Sequence, residues 1–172
     1  MLNNAGCLGK YANLVGLMHP QKVAEIVAHL SKTKGYLCNH QIPLVSVIGA
    51  TTNGDLVEIG CWYGRTTKAF CLVPNNDLRV HCVDTFLGSK EHQKELQGYK
   101  FKDDFINNTK DLPQICSIIE KESAIAAEDF ADDTFDVVWI DAGHDYENVK
   151  TDITKWLPKL KNGGLMIGHD YP

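Results

Sequence analysis

Phe135-Asp136-Val137-Val138-Trp139-Ile140, running into Asp141-Ala142-Gly143-His144-Asp145, is the stretch that decides the fold. Six residues rich in β-branched and aromatic side chains form a strand. They end in an acid, a glycine and a histidine, the composition of a polar loop. Tyr146 to Trp156 then reads as a helix, Lys161-Asn162-Gly163-Gly164 as a turn and Leu165-Met166-Ile167 as another strand.

Working back from Phe135, the same alternation repeats. Leu56-Val57-Glu58-Ile59 is a short strand, followed by a glycine turn and a helix from about Thr66 to Leu72. Arg79 to Asp84 is a strand, Asp103–Lys110 a helix, and Ile115 to Ile119 a further strand. Ser123 is placed to cap a short helix over Ala124–Phe130. Strands alternating with helices specify an α/β fold, a doubly wound, mostly parallel sheet with right-handed crossovers. Residues 1–54 form a mostly helical preface. Pro20 opens a helix carrying Val23, Ile26, Val27 and Leu30, ended by Lys34-Gly35, whereas Ile42 to Ala50 suits a buried helix or a strand equally. No repeat or linker divides the chain, so 1–172 is one domain, a preface over 1–54 and a sheet over 55–172.

Composition narrows the function. The 172 residues are 44% hydrophobic and 23% charged with a formal net charge of −5, an ordinary globular composition that excludes a disordered chain. The acidic balance gives no electrostatic reason for a nucleic-acid surface. The six cysteines include no CxxC pair and no zinc-like spacing, and Cys61, Cys82 and Cys116 lie in or beside apolar runs, as reduced cysteines do. The N-terminus lacks the pattern of a signal peptide, and no apolar stretch reaches membrane-spanning length. The expectation is a cytoplasmic protein with no membrane partner.

In an open doubly wound sheet, ligands bind beyond the carboxyl ends of the strands. Those ends present Glu58 to Thr66, Asp84-Thr85, Glu122-Ser123, Asp141 to Asp145 and His169-Asp170-Tyr171, a polar rim drawn from all five strands. Glu58 to Gly64 has the form E-x-G-x-x-x-G, which is either a tight turn or a loop that lets a ligand approach the backbone. The G-x-G-x-x-G of a pyrophosphate-binding dehydrogenase is missing, which weighs against a nicotinamide-dependent oxidoreductase. An acid beside the glycines and a helix N-terminus after them suit a ligand with both an ammonium group and a carboxylate. Asp84, about 20 residues on, stands where an acid accepts hydrogen bonds from ribose hydroxyls. Ser123 suits an adenine edge or a helix cap. His144 is by residue type the best general base, or else a loop histidine bonded to the next helix. The polar run Gly88–Lys102 reads as a cover over the site or a solvated helix face, Trp62 as pocket lining or core, and Trp139 and Trp156 as core.

Leu56–Thr67 resembles the first motif of the class I S-adenosylmethionine-dependent methyltransferases. Phe135 to Tyr146, Trp156 to Gly164, Gly168 to Tyr171, Val83 to Ser89 and Glu91-His92 resemble more specifically the branch containing macrocin-type O-methyltransferases and cephalosporin hydroxylase-like proteins. The likeness spans about residues 54–172. It implies a Rossmann-like sheet and an O-methyltransferase that takes S-adenosylmethionine and a small hydroxylated acceptor. It further implies that Glu58, Gly60 and Gly64 hold the methionine part, with Tyr63 lining the same turn, Asp84 with Thr85 beside it the ribose, and Ser123 the adenine side. Asp141 and His144 would be catalytic. Asp141, His169 and Asp170 fall where some relatives hold a divalent metal such as Mg²⁺, although a histidine departs from the oxygen set Mg²⁺ prefers. In the other reading, His169-Asp170 orients the chain terminus or the acceptor. Relatives continue through two more strands, whose lack here implies an open sheet edge that pairs with a second copy, and allows a non-catalytic remnant as an alternative.

Overall fold

The structure is a computed structural model and describes residues 13–16 and 18–169. The preface holds α1 (Pro20–Leu30) and α2 (Ile42–Thr51). There follow β1 (Gly54–Ile59), α3 (Arg65–Cys71) and β2 (Leu78–Asp84). A 3-10 turn, Lys90–His92, leads into α4 (Gln93–Leu96), then α5 (Lys102–Thr109) and β3 (Ile115–Glu120). The chain ends with α6 (Ser123–Ala126), β4 (Phe135–Ile140), α7 (Tyr146–Trp156) and β5 (Leu160–Gly168).

The five strands are parallel in the order β3-β2-β1-β4-β5. The chain leaves β1 in one direction toward β2 and β3, then returns to place β4 on the other side of β1. That reversal opens a crevice between the carboxyl ends of β1 and β4. Alternate residues of each strand feed two separate cores. Leu56, Val80, Cys82, Val137 and Trp139 pack with Leu30, Ile42, Ile48 and Phe70 of the preface and α3. Val57, Ile59, Val83, Val138 and Ile140 pack with Phe135 and Trp156 on the other side.

The ambiguous run Ile42–Ala50 is a helix: Pro43 sits in its first turn, and residues around its whole circumference are buried. α1 stops at Leu30 rather than at Lys34-Gly35, because the Leu30 and Thr33 carbonyls turn toward the Arg65 guanidinium. Lys161 to Gly164 is not a separate turn but lies within β5. Phe135 pairs with Leu160 and Val137 with Leu165, so the loop is absorbed as a bulge with Gly163 at φ +83°. Ser123 does not cap the short helix. Glu122 holds the cap position, and the Ser123 hydroxyl accepts the Trp156 indole N–H at 2.8 Å. Trp139 and Trp156 are buried as expected. Cys38, Cys61, Cys71, Cys82 and Cys116 are free thiols, and Cys7 lies outside the described residues. No helix among the described residues is long and apolar enough to cross a membrane.

Candidate active site

At the carboxyl end of β1 the chain must turn at once into α3, and two left-handed glycines permit it. Gly60 has φ +88°, and a Cβ there would stand 2.1 Å from the Asp141 carbonyl oxygen. The β1 and β4 loops therefore touch backbone to backbone, closed by Asp141 N–H donating to Ile59 O at 2.8 Å. Gly64 has φ +85°, and a Cβ would lie 2.7 Å from Thr109 Cγ2. Both glycines serve contacts within the chain itself.

Asp84 holds the turn. Its Oδ2 accepts the Cys61 and Trp62 amides at 2.8 and 2.9 Å, and its Oδ1 accepts the Phe86 amide at 2.7 Å. Trp62 and Phe86 have φ of +49° and +55°, costly for bulky residues at about 1–3 kcal/mol each. The carboxylate fixes both strained positions. Burial pushes the Asp84 carboxyl up from its ordinary range, against the pull of these amides.

Glu58 faces inward. It is 0% exposed; Oε2 accepts the Thr67 hydroxyl at 2.5 Å, and Oε1 is buried with no hydrogen-bond partner among the described residues. Burial raises its carboxyl well above the ordinary range, with the nearby Asp141 and Asp84 charges adding to the rise.

A cavity of about 640 Å³ opens over the crevice, within the range of small-molecule sites. Its wall takes in Gly60 to Trp62, Asp84-Thr85, Glu122 to Ala124 and Asp141 to Asp145. Gly88 to Gln93 contribute as well, so the polar run after β2 does border the site. Of the four residues expected around the methionine part, Gly60 alone reaches this wall. Glu58 lies behind it, Gly64 packs on α5, and Tyr63 turns away to stack at 5.1 Å on Phe101. Ser123 borders the cavity with its hydroxyl tied to Trp156 and to the buried Asp152.

Asp141 and His144 stand close together in the cavity wall. Asp141 Oδ1 lies 3.3 Å from His169 Nδ1 and 3.7 Å from His144 Nε2. His144 Nδ1 is 2.8 Å from Glu91 Oε1, so this histidine bonds to the segment after β2. The start of α7 is capped by Asp145, whose Oδ1 accepts the Asn148 amide at 3.0 Å. His169 Nε2 meets Gln41 Oε1 at 3.1 Å. Asp170 lies outside the described residues.

Sequence reasoning passed over three contributors. Glu91 engages His144, and Tyr36 lines the cavity from the preface. Arg65 donates to the Leu30, Thr33 and Leu37 carbonyls and to Asn39 Oδ1, stitching the preface to the glycine turn. Arg65, directly after Gly64, and Glu91, within the Glu91-His92 pair, carry a local signal, whereas Tyr36 carries none.

Residues 57–171 match the family described as methyltransferase domain. An uncharacterized protein of Sinorhizobium fredii (strain NBRC 101917 / NGR234), y4gI, is 30% identical over 118 residues, covering 67% of this chain and 13% of that protein. The chain thus spans a small part of the length of that relative. Among solved structures, a Corynebacterium glutamicum protein superposes with TM-score 0.58 at 16% identity, covering 98% of this chain and 74% of that one. A putative caffeoyl-CoA O-methyltransferase from Staphylococcus aureus gives TM-score 0.52 at 18% identity, covering 98% and 73%. An O-methyltransferase from Bacillus cereus, in complex with SAH, gives 0.54 at 16% identity, covering 94% and 71%. These likenesses show a shared Rossmann-like fold, and the match over residues 57–171 shows that the chain belongs to the methyltransferase domain family.

Proposed function

We propose that the chain is an S-adenosylmethionine-dependent O-methyltransferase for a small hydroxylated molecule. The observation that carries this reading is the one cavity whose wall takes in Gly60, Asp84, Ser123, Asp141 and His144 together. Asp84, Thr85 and Ser123 would border the adenosine, and the Gly60–Trp62 backbone the methionine part. Glu58 would support that turn from behind through Thr67. The acidic wall complements a cationic sulfonium ligand. The Bacillus cereus neighbour holding SAH has the same fold.

Bound S-adenosylmethionine supplies an electrophilic methyl group and keeps the electrons of the broken carbon–sulfur bond on sulfur. The chain's own work is alignment and proton removal. His144, at the cavity wall, takes the acceptor hydroxyl proton while the oxygen forms its bond to the methyl carbon. Asp141 and Glu91 flank the imidazole and stabilise the imidazolium that results.

The metal expectation fits the described residues poorly. Asp141 is the one described carboxylate of the expected set, and two imidazoles flank it. Mg²⁺ takes an octahedral shell of oxygens, so no step is assigned to it. The set of three metal-type ligand atoms found close together among the described residues is Glu58, Cys61 and Cys82, buried and mainly thiol.

Calorimetric titration with S-adenosylhomocysteine and with a nicotinamide dinucleotide tests the proposal. Saturable binding of the first and none of the second is the expected outcome; the reverse pattern overturns it. Methyl release across hydroxylated acceptors, with and without chelator, then separates an enzyme from a non-catalytic binding domain.

A further inference from the structure

One end of the cavity is built differently from the rest. Tyr36 of the preface, Trp62 of the β1 loop and His92 of the segment after β2 meet there, three rings from three distant parts of the chain. Their centroids are 6.0 Å apart for Tyr36–Trp62, 5.2 Å for Tyr36–His92 and 4.7 Å for Trp62–His92. Tyr36 and His92 lie nearly parallel, with 24° between their planes.

Each ring is held from behind. The Tyr36 hydroxyl donates to Glu95 Oε2 at 3.2 Å, and Glu95 Oε1 also binds Lys34 Nζ. His92 Nδ1 is 2.8 Å from Ser89 Oγ, and the Trp62 ring packs at 4.6 Å on Phe101. A cluster fixed in advance loses little freedom when a ligand settles on it. Yet Tyr36 remains 56% exposed, and Leu87, which lines the same cavity, 45%. Large apolar groups left in water at the rim of a cavity mark a surface made to be covered.

Chain connectivity ties this wall to the proton acceptor. Glu91, next to His92 in sequence, contacts His144 at 2.8 Å. The rings and His144 line the same cavity.

We propose that Tyr36, Trp62 and His92 are the specificity-determining wall of the acceptor site, and that the acceptor is a planar ring carrying a hydroxyl group. This rests on the methyl-transfer reading for what happens to the ligand, but not for its binding. The test uses two probes of similar size, methyl 4-hydroxybenzoate and methyl glucoside, with and without S-adenosylhomocysteine. Binding is followed by saturation-transfer NMR and by the ligand-dependent change in tryptophan fluorescence, which reports on Trp62 because it lines the cavity and Trp139 and Trp156 do not. The phenol is expected to bind at least tenfold more tightly than the glucoside. Tyr36→Ala and His92→Ala are each expected to weaken it about fivefold to tenfold, with Tyr36→Phe, which keeps the ring but loses the Glu95 contact, falling between Tyr36→Ala and wild type and S-adenosylhomocysteine affinity unchanged throughout. Equal or tighter binding of the glucoside, or an unaltered phenol affinity in Tyr36→Ala, overturns the assignment. Failure of S-adenosylhomocysteine to bind wild-type protein counts against the methyltransferase proposal instead, because the phenol arm is read without it.

Discussion

Replacing Asp84 with alanine asks how much one side chain holds the glycine turn together. Its carboxylate accepts three amides, from Cys61, Trp62 and Phe86, at 2.7–2.9 Å. Two of those amides belong to aromatic residues held at positive φ. Bonds to a charged acceptor are worth about 1.5–3 kcal/mol each, and the three share one group, so simple addition overstates the sum. Release of the strained turn returns part of the loss. The net expectation is roughly 3–5 kcal/mol, a large share of the roughly 5–15 kcal/mol by which a domain is stable. In thermal unfolding this is a fall in midpoint of about 10–15 °C. In urea it is a shift of about 2 M, taking a slope near 2 kcal/mol per M. Asp84→Asn keeps one acceptor oxygen and should fall between the two. The measurement is made without ligand, so it isolates the structural role from any part in ribose binding. A variant melting within 2 °C of wild type would show that the turn holds itself and that Asp84 is not its brace.

Two further outcomes follow from the same geometry. Glu58 is raised by burial, so the folded state binds more protons than the unfolded state at pH values between its ordinary and its raised pKa, and stability falls as pH rises through that window. Glu58→Gln removes that loss while keeping the shape and the Thr67 contact, so its urea midpoint should gain on wild type more at pH 8 than at pH 5; an equal gain at both pH values would contradict the burial argument. Arg65→Ala deletes four hydrogen bonds to the preface and should cost about 2–4 kcal/mol. Limited proteolysis followed by mass spectrometry should find faster cleavage over residues 31–41, and an unchanged rate would mean that the preface docks without Arg65.

The strands were legible because their physics is local. Phe135–Ile140 and Tyr146–Trp156 lie where hydrophobic pattern places them, since burial on a sheet face and on one helix stripe leaves a trace in residue order. Ile42–Thr51 left no such trace because it is buried on all sides, which suits strand and helix alike. Lys161–Gly164 looked like a turn because its glycines are turn formers, whereas pairing with β4 draws the loop into β5 as a bulge.

The candidate site divides along the same line. By itself the sequence determined which residues gather at the strand ends, including Asp84, Asp141 and His144, because strand direction and helix crossovers dictate that rim. It could not say which way each side chain turns. Only tertiary structure decided that Glu58 faces the core, that the Ser123 hydroxyl answers Trp156, that Arg65 serves the preface and that Glu91 meets His144. Those outcomes depend on partners tens of residues away competing for one polar atom. Backbone geometry is written into neighbouring residues, but hydrogen-bond competition is settled once the chain has brought distant groups together.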